Sequence, residues 1–200
     1  MLRCLLFSVS VAFVFCRCQP KGNLGNENAS APVNLDSLQT QFKASDDSLR
    51  NSWQVMIASD DEKLRLVGQL LNDIGKGCPH DKAIHTELVR DYQGLPAKRY
   101  ASPDAMTSNQ IDQYDAATDT LLNNLRDFYQ TVPTQKCCPD CQAALGEVER
   151  LHGEVIMFRI RYDNHAKEYN ALVTQQKENL AALRPEFKTL KTKQLFSIMQ

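Results

Sequence analysis

Charge of neither sign is in excess: 23 Lys and Arg stand against 24 Asp and Glu over 200 residues, a net of −1. So close a balance builds no long-range field for a polyanion, and no basic patch is interleaved with aromatics, so nucleic acid is not expected as a partner. No apolar run reaches the roughly 20 residues a spanning helix needs. The chain has no Gly-x-Ser-x-Gly elbow, no phosphate loop and no His-Glu-x-x-His pair, so no catalytic residue and no cofactor are expected. No segment alternates polar and apolar residues as a strand would, and no internal repeat is present. What remains fits one all-α domain with a separate N-terminal region.

That region begins with Arg3 and the uncharged run Leu5 to Phe15 (LLFSVSVAFVF), the length and order of an export signal. No small-x-small cleavage site follows, so an uncleaved short anchor is the alternative. Cys16-Arg17-Cys18 closes the run and resembles a bacterial lipoprotein signal, although the small residues that usually precede the cysteine are absent. Cys18 is favoured over Cys16 for lipidation because the polar spacer starts directly after it. Residues 1–18 are therefore read as leader and 19–33 as tether, since Lys21 to Pro32 (KGNLGNENASAP) has too little apolar surface to fold. Asn28-Ala29-Ser30 would accept a glycan only in a eukaryotic secretory pathway.

Residues 34–200 carry helical spacing. Asn34 is a natural N-cap, and Leu35, Leu38, Phe42, Leu49, Trp53, Met56, Leu64, Val67, Leu71 and Ile74 form one stripe. Ser59-Asp60-Asp61-Glu62 has capping-box form, but without Gly or Pro nearby the helix is expected to continue to Gly75-Lys76-Gly77-Cys78-Pro79. A short helix through Ile84, Leu88 and Tyr92 should end at Gly94 and Pro96, with Leu95 to Thr107 a loop. A third spans Ile111 to Val132, and a fourth runs from about Pro139 to Leu183, where Arg184-Pro185 breaks it. The expectation is an antiparallel up-down bundle of about four helices, the first and last roughly 60 Å long.

Within the fourth helix, Arg159-Ile160-Arg161-Tyr162-Asp163-Asn164-His165-Ala166-Lys167-Glu168-Tyr169-Asn170 resembles the LemA-family stretch Arg-x-x-Tyr-Asn-x-x-Val-x-x-Tyr-Asn. Tyr129 and Pro133, followed by Leu145, Glu147 and Glu149, are similar to that family's Tyr-Pro hinge and the amphipathic run after it. Asn51-Ser52-Trp53-Gln54-Val55 resembles its Asn-Ala-Trp-Ser-Gln-Ile. Leu64 to Leu71 stands where Asp-Leu-Ile-Pro-Asn-Leu is expected, with Gly68 in place of the proline and no preceding Arg pair. The resemblance covers about Leu35 to Leu172. It implies a membrane-attached helical bundle facing the periplasm or cell exterior, in a family without an established catalytic activity, and supplies no catalytic residues. A protein partner in the envelope and membrane contact through the N-terminus are the expected associations.

Four cysteines follow the leader: Cys78, Cys137, Cys138 and Cys141, with His80 beside the first. In an up-down bundle the first and third connections share an end, so these groups should be neighbours. Disulfides are expected in an oxidising compartment, with Cys78 reaching Cys137 or Cys138 and Cys141 turned toward the core. A Cys4 or Cys3His zinc site, a redox Cys138-Pro139-Asp140-Cys141 pair and unpaired buried thiols are the alternatives. Glu149-Arg150-Leu151-His152 has the Glu-x-x-His form of di-iron bundles, but no second pair exists, so both are expected in solvent. Trp53, Tyr162 and Tyr169 are expected in the core rather than on a ligand. The tail Phe187 to Met199 is expected to pack back on the bundle, the alternative being membrane or partner contact.

Overall fold

The computed structural model describes residues 33–132 and 137–196. The proposed leader, its lipidation candidates Cys16 and Cys18, nearly all of the tether, Pro133 and the tail beyond Phe196 lie outside them. Among the described residues the chain is all-helical, with no strand. The first helix, α1, spans Leu35–Gly77. Asn34 caps it, its side chain accepting from Ser37 N at 3.1 Å, which satisfies an amide the first turn leaves free. The helix continues through Asp60 and Asp61, and at 43 residues it is about 65 Å long.

Helix α2 spans Lys82–Lys98, capped by Asp81, which accepts from the amides of Ala83 and Ile84. It runs through Gly94 and Pro96, so the expected loop from Leu95 is shorter than read. Leu95 is 1% exposed, and burying it outweighs the single hydrogen bond a proline deletes near a helix end. Helix α3 spans Ser108–Thr131 and opens with a capping box between Thr107 and Gln110.

The expected fourth helix is two. Helix α4 spans Cys141–Gln175 and α5 spans Lys177–Leu183, separated at Gln176 with φ −110° and ψ 21°. A 3-10 turn follows over Pro185–Thr189. No Gly or Pro marks the break; the Gln176 side chain accepts from Asn179 Nδ2 at 2.9 Å, and Leu180 is buried just beyond. The described residues thus hold five α-helices against the four expected.

The largest packing surface lies between α1 and α4, and α2 packs mainly on α3. Phe42 meets Tyr169 at a ring separation of 5.8 Å, and Trp53 meets Tyr162 at 5.5 Å. Beyond the 3-10 turn the chain folds back without regular structure. Phe187 stacks on Phe42 at 4.9 Å, and Phe196 is buried among Tyr100, Tyr162 and the Arg159 guanidinium. The tail as far as Phe196 therefore packs on the helices, and no helix among the described residues is long and apolar enough to cross a membrane.

Candidate functional site

At one end of α1 and α4, Cys78 is joined to Cys137 across 59 positions of sequence, their Cα atoms 5.2 Å apart. Cys138 is joined to Cys141, with Cα atoms 5.4 Å apart. Cys141, the first residue of α4, is 2% exposed. Gly77 makes room for the bridge, since a Cβ there would meet the Cys137 carbonyl oxygen at 3.1 Å. His80 lies beside the bridge, with Nδ1 2.5 Å from the Cys78 carbonyl oxygen and its ring 4.8 Å from that of His85. His85 Nε2 in turn approaches the Leu71 carbonyl at 2.8 Å. Both imidazoles are thus engaged with backbone, and all four sulfurs with one another. Among the described residues, no group of three or more His, Cys, Asp or Glu is placed to hold a metal ion.

Tyr162 and Tyr169 are fully buried, whereas Trp53 is only partly buried, at the edge of the core between the rings of Tyr100 and Tyr162. Desolvation raises the phenol of Tyr162 far above its ordinary value and pushes that of Tyr169 up to about 12.

A second constellation, which the apolar stripes concealed, joins the interiors of α1 and α4 to the end of α2 and the start of α3. Lys63 of α1 is 3% exposed, and its ammonium lies 2.7 Å from Asp60 Oδ1. Asp60 Oδ2 accepts from the Tyr114 hydroxyl at 2.6 Å and lies 3.1 Å from Arg99 Nε. Arg99 also holds Asp61 at 2.5 Å. From α4, Arg159 donates two bonds to Asp115 at 2.6 and 2.5 Å. Burial and the adjacent Asp60 carboxylate raise the Tyr114 phenol well beyond its ordinary value, and it stays a donor.

His152 corrects the expectation of a solvated side chain: it is half-buried, with Nε2 3.1 Å from Asp119 Oδ1. Desolvation, then the Lys63 charge, lowers its affinity for a proton. In the neutral ring, Nε2–H faces Asp119 and Nδ1 keeps its lone pair. Glu149 lies on the surface as expected, paired with Arg126 at 2.6 Å. Asp60, Lys63, Thr118, His152 and Arg159 line a cavity of about 380 Å³. Thr118 Oγ1, His152 Nδ1 and Arg159 Nε are buried without a hydrogen-bond partner among the described residues.

The sequence held a signal for this layer. Met56, Lys63 and Leu70 are seven residues apart, two helical turns, which puts a lysine on the buried stripe. His152 follows the buried Val148 by four, on the flank of the α4 stripe rather than its outer face. Compared with protein-family models, with curated proteins and with solved structures, the chain matches none.

Proposed function

We propose that this chain is an exported, membrane-tethered and non-catalytic interaction protein of the LemA type, folded as an antiparallel up-down helical bundle. The observation that carries the reading is the cysteine end. Two disulfides in a chain headed by an apolar leader fit an oxidising compartment, because cytosolic thiols are kept reduced. The order of contacts supports the bundle: along α1 from Phe42 to Trp53 to Cys78, the partners fall from Tyr169 to Tyr162 to Cys137. Cys18, or else Cys16, would fix the N-terminus to lipid, and the polar tether would let the helices stand off and meet a partner in the envelope.

Crosslinking in intact cells, followed by purification under denaturing conditions, tests the interaction: a membrane protein recovered in constant ratio is the expected result, and recovery of free monomer alone refutes it. Mass spectrometry of the N-terminal peptide tests the tether, a diacylated Cys18 being expected.

A second reading, a thiol-redox protein, is favoured by one observation. Cys138 and Cys141 form a CxxC pair at the start of α4, where the helix dipole stabilises a thiolate. Alkylation of cells quenched in acid separates the two readings. A mixed redox state of Cys138 and Cys141 supports cycling, and full oxidation supports a structural bridge.

A further inference from the structure

The polar cavity holds side chains whose bonding capacity the fold leaves unused. Lys63 and Thr118, each 3% exposed, both line it. An ammonium carries three protons, and Lys63 directs its charge at Asp60, a carboxylate also shared by Arg99 and Tyr114. Thr118 Oγ1 adds an unpaired donor, whereas the Arg159 guanidinium is taken up by Asp115, Tyr100 and the Phe196 ring. The neighbouring acids are engaged, Asp115 by both terminal nitrogens of Arg159 and Asp119 by His152. Against these free protons stands one free acceptor, the His152 Nδ1 lone pair, so donors still exceed acceptors, and the complement to that surplus is an anion.

Its charge is limited. One ammonium with spare protons sits among three aspartates, so a dianion such as phosphate would meet more repulsion than a carboxylate. The cavity is also lined by Val155 and Ile156, Ile156 being 52% exposed. Beside them a Cβ on Gly153 would meet nothing within 4 Å, so that wall is open. A volume of about 380 Å³ lies at the lower end for small-molecule sites.

We propose that this cavity binds a small carboxylate bearing a short apolar chain, the carboxylate accepting from Lys63 and Thr118 and the chain lying along Val155 and Ile156. The site owes nothing to the tether or the disulfides, so it stands or falls apart from the envelope reading.

Titration calorimetry of the intact protein with sodium hexanoate tests the site, with the His152 ring followed by nuclear magnetic resonance at constant pH and ionic strength. Saturable binding of one hexanoate with a matching His152 shift is expected, with at least tenfold weaker binding of acetate, 1-hexanol and hexylammonium. Thr118→Val should weaken hexanoate at least tenfold while leaving the melting temperature unchanged or raised, because the hydroxyl it removes has no partner in the fold. Lys63→Met should also weaken binding; if it fails to fold, Thr118→Val decides alone. Absence of saturation, equal binding of 1-hexanol or hexylammonium, or undiminished binding by Thr118→Val would overturn the proposal. So would a lowered melting temperature for Thr118→Val, which would assign the hydroxyl to the fold.

Discussion

Replacing Cys78 and Cys137 together by alanine frees a 59-residue loop in the unfolded chain while leaving the folded chain its other contacts. The loop holds α2 and α3, whose Leu88, Leu95, Leu121 and Leu125 are buried in the core and lie apart in sequence from the two alanine changes. The cost therefore falls mainly on the unfolded ensemble, and loop-closure entropy for that separation amounts to about 4 kcal/mol at 25 °C. The Cys138–Cys141 bridge spans three positions, and the same relation gives it about 1.6 kcal/mol. Equilibrium urea unfolding followed by far-ultraviolet circular dichroism compares the two double variants with the oxidised parent. The 78/137 variant should lose about 2.5 kcal/mol more than the 138/141 variant, and its m-value should rise as its unfolded state expands. Reduction of the parent should reproduce the combined loss, which separates the entropy of the loops from any cavity the alanines leave. Equal losses in the two variants, or a loss under about 1 kcal/mol for the long loop, would refute the reasoning.

Trp53→Ala should lower unfolding free energy by about 3 kcal/mol by circular dichroism, since it removes an aromatic packed on Tyr100 and Tyr162. Tyr114→Phe deletes the 2.6 Å bond to Asp60 and should cost about 2 kcal/mol by the same assay. Asp60→Asn removes the carboxylate that Lys63 and Arg99 share in a buried setting and should cost about 3 to 5 kcal/mol. Stability should fall at both ends of the pH scale. The His152 pKa is held below its ordinary 6.5, so the unfolded chain takes the proton first; stability is full above pH 6.5 and falls below it. Tyr114, Tyr162 and Tyr169 are raised above 10.0, so the unfolded chain loses those protons first and stability falls above pH 10. Melting temperatures across pH should show both limbs, and His152→Asn should flatten the acid one.

The first and third helices were legible because one kind of evidence governed them: an apolar stripe with a polar cap at its start and no internal breaker. The second and fourth were misjudged where tertiary packing overrode a local rule. At Pro96 the rule called for a stop, and the buried Leu95 carried the helix to Lys98. At Gln176 no residue called for a stop, and the chain turned nonetheless. The polar layer escaped for a related reason. A stripe defined by apolar residues passes over Lys63, although its spacing from Met56 and Leu70 places it inside, and Tyr114, which donates to the Asp60 that Lys63 pairs with, lies 54 positions beyond Asp60.

The seven-residue spacing of Tyr162-Asp163 and Tyr169-Asn170 has a second meaning that only the folded chain displays. Each ring faces α1, Tyr162 on Trp53 and Tyr169 on Phe42, while each following polar residue faces the returning tail. Asn170 pairs with both backbone groups of Lys193, Nδ2 donating to its carbonyl at 2.9 Å and Oδ1 accepting from its amide at 2.7 Å. Asp163 accepts from the amide of Phe196 at 2.9 Å, and the Tyr162 hydroxyl donates to the Gln194 carbonyl at 3.2 Å. The lengths agree: seven residues of helix rise about 10.5 Å, and three extended residues cover about 10 Å. Lys193 can therefore sit on Asn170 while Phe196 sits on Asp163, with its ring in the socket formed by Tyr100, Tyr162 and Arg159. Side chains add to this backbone recognition: Lys193 reaches Asp104 and the Tyr169 ring, Leu195 packs against the core, and Phe196 fills the socket, contacts set by tertiary placement rather than by a helical apolar stripe.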